Sequence, residues 1–102
     1  MKIYLITDTH FGHENIIKYC NRPKNFEKII FDNLTKIEKN SILIHLGDFA
    51  FKKVEYWANK FSKVKSFKKW LIKGNHDKKS NSWYLNHGFD FVADCFFGYL
   101  FW

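Results

Sequence analysis

Apolar residues fall in short runs separated by polar loops, and the spacing alternates between two periods along the chain. Ile3-Tyr4-Leu5-Ile6 is nearly continuous, so residues 2 to 7 predict a central strand covered on both faces. Asn15 to Cys20 suggests a short helix, closed by Asn21-Arg22-Pro23 because proline turns its predecessor away from helical geometry. From Phe26 the period lengthens. Phe26, Ile30, Leu34 and Ile37, with Lys28, Asp32, Lys36 and Glu38 between them, predict an amphipathic helix ending near Lys39-Asn40. A second strand follows over 42–46, and Val54, Trp57, Ala58, Phe61 and Val64 mark a second amphipathic helix. Trp70-Leu71-Ile72 forms a third strand. Trp83-Tyr84-Leu85 suits a short helix stopped at His87-Gly88, with glycine as the C-terminal cap and His87 structural. Phe89 to Ala93 alternates like a strand, and the nearly uncharged aromatic stretch from Cys95 to Trp102 predicts a further strand or edge.

Strand, helix, strand, helix and strand in this order predict parallel neighbours joined by crossovers. The fold class is therefore α/β, a βαβαβ parallel core with C-terminal β-strands. At 102 residues the chain is one small domain. Hydrophobic residues at 46% and aromatics at 21% exclude a disordered chain. No apolar run approaches the roughly 20 residues of a membrane span, and Met1-Lys2-Ile3 enters a strand without a signal-peptide layout, which predicts a cytoplasmic protein without a membrane partner. Cys20 and Cys95 have no metal or redox spacing and are read as reduced thiols. The net charge of +7 attracts anions, phosphate esters and nucleic-acid backbone among them, although scattered lysines also make an ordinary solvated surface. The apolar tail Phe96 to Trp102 predicts a homo-oligomer.

The chemistry concentrates where strands end. Asp8 and His10 lie two residues apart just past the first strand, so both side chains can reach one cation. A capping aspartate beside a surface histidine is the ordinary alternative. Gly47-Asp48 follows the second strand and Gly74-Asn75-His76-Asp77 the third. In a parallel α/β sheet all three ends lie along one edge, where such sheets bind ligands. Asp8, His10, Asp48, Asn75 and His76 should therefore share one cleft, with Gly47 and Gly74 permitting sharp turns and close backbone approach. His45, inside a strand, is read as a buried histidine with a satisfied hydrogen bond.

The three blocks Asp8-x-His10, Gly47-Asp48 and Gly74-Asn75-His76-Asp77, in this order, resemble the calcineurin-like metallophosphoesterase family, and residues 8–17 resemble the opening of its small bacterial and phage members. The resemblance implies a partial α/β metallophosphoesterase sandwich over residues 1–102, the N-terminal portion of the domain. It also implies two divalent metal ions, Mn²⁺ foremost with Fe, Zn²⁺ or Ni²⁺ as alternatives, and hydrolysis of phosphate mono- or diesters. Asp8 and His10 would hold the first metal, Asp48 would bridge, Asn75 would hold the second, and His76 would sit beside the leaving group. Two such ions roughly 3.5 to 4 Å apart generate a hydroxide and neutralise phosphoryl charge. Asp77 would orient the His76 imidazole, or else stand as a solvated loop acid. His13 would touch the bound phosphate, or else lie on the surface at a helix start.

The family pattern continues with a histidine after a further strand and a later G-H-x-H block, and no histidine follows His87. On the resemblance, both metal sites therefore lack ligands. Three functions compete: a metal-dependent phosphoesterase, a truncated and catalytically silent relative, and a basic nucleic-acid-binding protein whose aromatic side chains stack on bases.

Overall fold

The computed structural model describes residues 1–94. Four strands, β1 (Lys2–Ile6), β2 (Ser41–His45), β3 (Lys68–Ile72) and β4 (Phe91–Ala93), form one parallel sheet in the order β1-β2-β3-β4. Between them run α1 (Asn15–Tyr19), α2 (Phe26–Leu34), α3 (Val54–Ser62) and α4 (Asn81–Leu85). The predicted parallel βαβαβ core is present, extended by β4 beside β3. The aromatic stretch from Cys95 to Trp102, and with it the strand and oligomer contact expected there, lies outside the described residues.

Two predicted elements differ in extent. α2 ends at Leu34 rather than near Asn40, because Lys36 and Ile37 donate to the carbonyls of Asn33 and Leu34, three residues back. A tighter turn of this kind returns a side chain to the same face every three residues, so Ile37 is still buried and keeps the helical spacing. β4 begins at Phe91, not Phe89. Phe89 instead enters the core, stacked on Phe61 and edge-on to Phe49.

The core lies on one face of the sheet. Leu43, His45 and Leu71 point into it from the strands and meet Phe11, Leu34, Phe49, Ala58, Phe61, Tyr84 and Phe89. Alternation along each strand sends the other set the opposite way. Among the described residues β1 lies at the edge of the sheet rather than at its centre, with Ile3 62% and Leu5 66% exposed. Ile42, Ile44 and Trp70 on the same face are half-buried and Phe91 is exposed, so among the described residues this face is apolar and largely open. No described helix is long and apolar enough to cross a membrane.

Candidate metal centre

The loops after β1 and β2 run side by side as a continuation of the sheet. The amide of Asp8 donates to Gly47, that of His10 to Asp48 and that of Phe11 to Phe49, at 2.9 to 3.0 Å. Phe11 and Ala50 form a parallel bridge, and the Phe51 amide returns to the Phe11 carbonyl. This pairing fixes the two loops relative to each other before any side-chain contact is made.

Along this frame Asp8, His10 and Asp48 all take positive φ, 54°, 49° and 55°. Left-handed backbone at residues other than glycine costs of order 1 kcal/mol or more and gathers at functional sites. Here it turns the three side chains toward one point. Their donor atoms lie within 4.8 Å of one another, with His10 Nε2 3.5 Å from Asp8 Oδ1 and 3.9 Å from Asp48 Oδ2. Metal–donor bonds of about 2.0 to 2.2 Å require ligand atoms roughly 3 to 4 Å apart, so a divalent cation fits among these three. Two carboxylates and an imidazole suit first-row divalent ions without sulfur. Burial raises the pKa of Asp8, but the hydrogen bond donated by the Thr7 hydroxyl, with the neighbouring Asp48 and His10, outweighs it and holds the carboxyl below its ordinary range.

His13 meets His10 directly, Nδ1 to Nδ1 at 3.3 Å. One of those nitrogens must carry the proton. If it is His10 Nδ1, donating to His13, then His10 Nε2 presents a lone pair to the carboxylate side, the tautomer a metal ligand needs. His13 is thereby placed to orient the His10 ring. Burial, then the nearby positive groups, push its own pKa down.

The loop after β3 closes the site. His76 donates its amide to Asp48 Oδ1 at 3.0 Å, and its ring lies 5.8 Å from that of His10. Asn75 is exposed on the same loop, between Gly74 and His76. A Cβ on Gly74 would stand 2.6 Å from Asp48 Oδ1, and one on Gly47 would stand 2.8 Å from the Gly74 nitrogen, so the loops could not approach this closely with larger residues. Asp77 does something other than expected. It is neither a solvated acid nor bonded to the His76 imidazole. It is 5% exposed, and its oxygens accept from the amides of Asp48 (2.8 Å), Phe49 (2.9 Å) and Gly74 (2.8 Å), joining the second loop to the third. Burial raises its pKa against the pull of those three donors.

Beneath the cluster, His45 joins the first loop to the second. Gly47 donates its amide to Nδ1 at 3.1 Å, so the proton sits on Nε2, which donates to Thr9 Oγ1 at 2.9 Å. The Thr9 hydroxyl then donates to the Phe49 carbonyl at 2.7 Å. The buried, hydrogen-bonded histidine expected from the sequence is what the structure contains. Burial pushes its pKa down to about 3, so it stays neutral. Below its ordinary value of 6.5 the unfolded chain takes up a proton that the folded chain refuses. This contribution to stability is intact above pH 6.5 and falls as the pH drops toward 3, by about 1.4 kcal/mol per pH unit. Denaturant unfolding of the metal-free protein at pH 7 and pH 5 is expected to differ in this direction, and replacing His45 by glutamine should flatten the difference.

Arg22 is the residue that the sequence reading missed as part of the site. Its guanidinium donates to the carbonyls of Asp8 (2.6 Å) and Thr9 (3.0 Å) and lies over the Phe26 ring. The only signal was a lone arginine among lysines, since a planar fork can hold two adjacent carbonyls where an ammonium cannot. Arg22→Ala is expected to weaken metal binding roughly 10-fold by loosening the Asp8 turn, as measured by calorimetric titration.

The comparisons agree with this geometry. Residues 1–101 match the family model of calcineurin-like phosphoesterases. The chain is 40% identical over 88 residues to the uncharacterized protein MJ1445 of Methanocaldococcus jannaschii, covering 76% of this chain and 47% of that one. Among solved structures it is similar to the protein of unknown function AQ665 from Aquifex aeolicus, with a TM-score of 0.74 and 40% identity, covering 91% of this chain and 52% of that one. It thus spans about half the length of the relatives it matches. Sequence match, fold and three-donor cluster coincide, and the chain belongs to the calcineurin-like phosphoesterase family.

Proposed function

We propose that this chain forms the metal-binding half of a metal-dependent phosphoesterase that hydrolyses phosphate mono- or diesters. The observation that carries the reading is the convergence of Asp8, His10 and Asp48 at the ends of β1 and β2. Asp8, His10 and Asp48 would hold a divalent ion, and Asn75 would add its amide oxygen for a second. Mn²⁺ is the preferred ion, with Fe, Zn²⁺ or Ni²⁺ as alternatives. When bound, such ions polarise a phosphoryl oxygen and lower the pKa of water.

The chain's own residues do the rest. Asp8 and Asp48 supply the negative charge that retains the cations, and His13 keeps the His10 ring in the ligating tautomer. His76, exposed on the third loop with its amide anchored on Asp48, faces the departing group. As a water oxygen bonds to phosphorus and the ester P–O bond breaks, the imidazole supplies a proton to the leaving oxygen and the proton released by that water restores it. Arg22 and Asp77 act through the backbone and are positioning residues.

Titration of the purified chain with Mn²⁺, followed by assays on p-nitrophenyl phosphate and bis-p-nitrophenyl phosphate, tests the reading. Metal-dependent turnover removed by EDTA and restored by Mn²⁺ is expected. A folded protein that neither binds Mn²⁺ nor hydrolyses either ester would reject it. Binding without turnover would favour a catalytically silent relative.

A further inference from the structure

Phe51 stands beside the metal cluster without a role in it. Its ring stacks on His13 with centroids 4.3 Å apart and meets His76 edge-on at 5.9 Å, and both histidines flank His10. Yet Phe51 remains 44% exposed. Its backbone is held by the bond to Phe11, so the ring is presented by the rigid part of the site.

Phe51 also lines a groove of about 380 Å³ along the surface, together with Lys52, Lys53, Val54, Glu55, Lys79 and Trp83. Three lysines face one carboxylate, and Glu55 lies 3.6 Å from His87 Nε2. Trp83 is already engaged: His87 stacks on its ring at 3.8 Å and the Lys79 ammonium lies 5.4 Å from its centroid. The continuous arrangement is therefore a cation site, an exposed flat ring and a run of three cations.

We propose that this groove binds single-stranded nucleic acid, with a backbone phosphate at the Asp8, His10 and Asp48 cluster. The neighbouring base stacks on Phe51, and the following phosphates lie along Lys52, Lys53 and Lys79. The inference rests on the phosphoesterase reading for the first of these contacts and on the groove alone for the other two. Base stacking on aromatic side chains tolerates any sequence, and lysines engage phosphates as point charges, so the site selects repeated phosphates and flat bases, not a base order. A phosphopeptide offers one phosphate and would leave the lysine run unused.

The test uses the full chain with Mn²⁺ and fluorescence anisotropy with labelled dT12 and an abasic strand of equal length and charge, the strands being checked for integrity on a denaturing gel so that binding is read apart from hydrolysis. The expected result is tighter binding of dT12. Phe51→Ala should weaken dT12 about 10-fold while leaving the abasic strand unchanged. Phe51→Leu, which keeps the apolar bulk without the aromatic face, should do the same, and circular dichroism confirms the fold of both. The combined Lys52→Ala, Lys53→Ala, Lys79→Ala variant should weaken both strands and reduce the salt slope by about 2. Equal affinity for the two strands, or equal losses from Lys24→Ala, Lys36→Ala, Lys39→Ala in the segments flanking α2, would overturn the groove in favour of a generic basic surface. A phosphopeptide that displaces dT12 as well as unlabelled dT12 does would overturn it in favour of a protein ligand. Failure of the two readings is separable: ester hydrolysis without strand discrimination removes the groove, and strand discrimination without hydrolysis removes the esterase.

Discussion

Asp48→Asn is expected to lower metal affinity by roughly 100-fold or more while the protein stays folded. Loss of outer-shell partners alone typically costs about 10- to 100-fold, and Asp48 presents its oxygen to the cation position itself. The reason lies in how its carboxylate is divided. Oδ1 accepts the His76 amide at 3.0 Å, whereas Oδ2 faces His10 Nε2 at 3.9 Å. An asparagine keeps the first contact with its amide oxygen, and this turns its NH2 group toward the cation, where a donor cannot ligate. The fold should survive because size and the backbone bond are retained, so thermal melting is expected to change little while Mn²⁺ titration and ester hydrolysis both collapse. Wild-type affinity in this variant would remove Asp48 from the metal site.

The second large effect falls on stability. Asp77→Ala is expected to destabilise the protein by about 3 to 5 kcal/mol, because it strips the partner from three backbone amides in a buried position. Asp77→Asn should cost less, about 1 to 3 kcal/mol. Its oxygen can still accept from Asp48 and Gly74, which share Oδ2, but its NH2 group then opposes the Phe49 amide, which bonds to Oδ1. Urea unfolding of the three proteins gives the order. If instead both variants matched wild type in stability and lost only turnover, Asp77 would act on the His76 ring as first expected, not on the backbone.

The two effects separate what this site needs. Asp48 carries charge at the candidate cation site, and its replacement by a neutral residue of equal size leaves the loops in place. Asp77 carries charge at the crossing of two loops, and its loss releases the frame on which Asp48 stands.

Much of the architecture follows from local pattern. The apolar runs at β1, β2 and β3, the longer period of α2 and α3, and the Gly-Asp and Gly-Asn turns after the second and third strands are properties of neighbouring residues. Because parallel strands must share an edge, these were enough to bring Asp8, His10, Asp48 and His76 to one side of the sheet, and the structure brings them there. The hydrogen-bond partners of buried groups were a different matter. Nothing near Asp77 in sequence indicates that the amides of Asp48 and Phe49, 29 and 28 residues away, lack other partners. Arg22 stands out only as the lone arginine, and nothing in the sequence names its acceptors, since they are carbonyls, which every residue carries. The exposure of β1 among the described residues also escaped the pattern, for an apolar strand reads alike whether one layer or two cover it. Side-chain periodicity is short-ranged and survives in the sequence. Which backbone N–H and C=O groups remain to be paired, and which apolar faces remain uncovered, is determined only when distant segments meet.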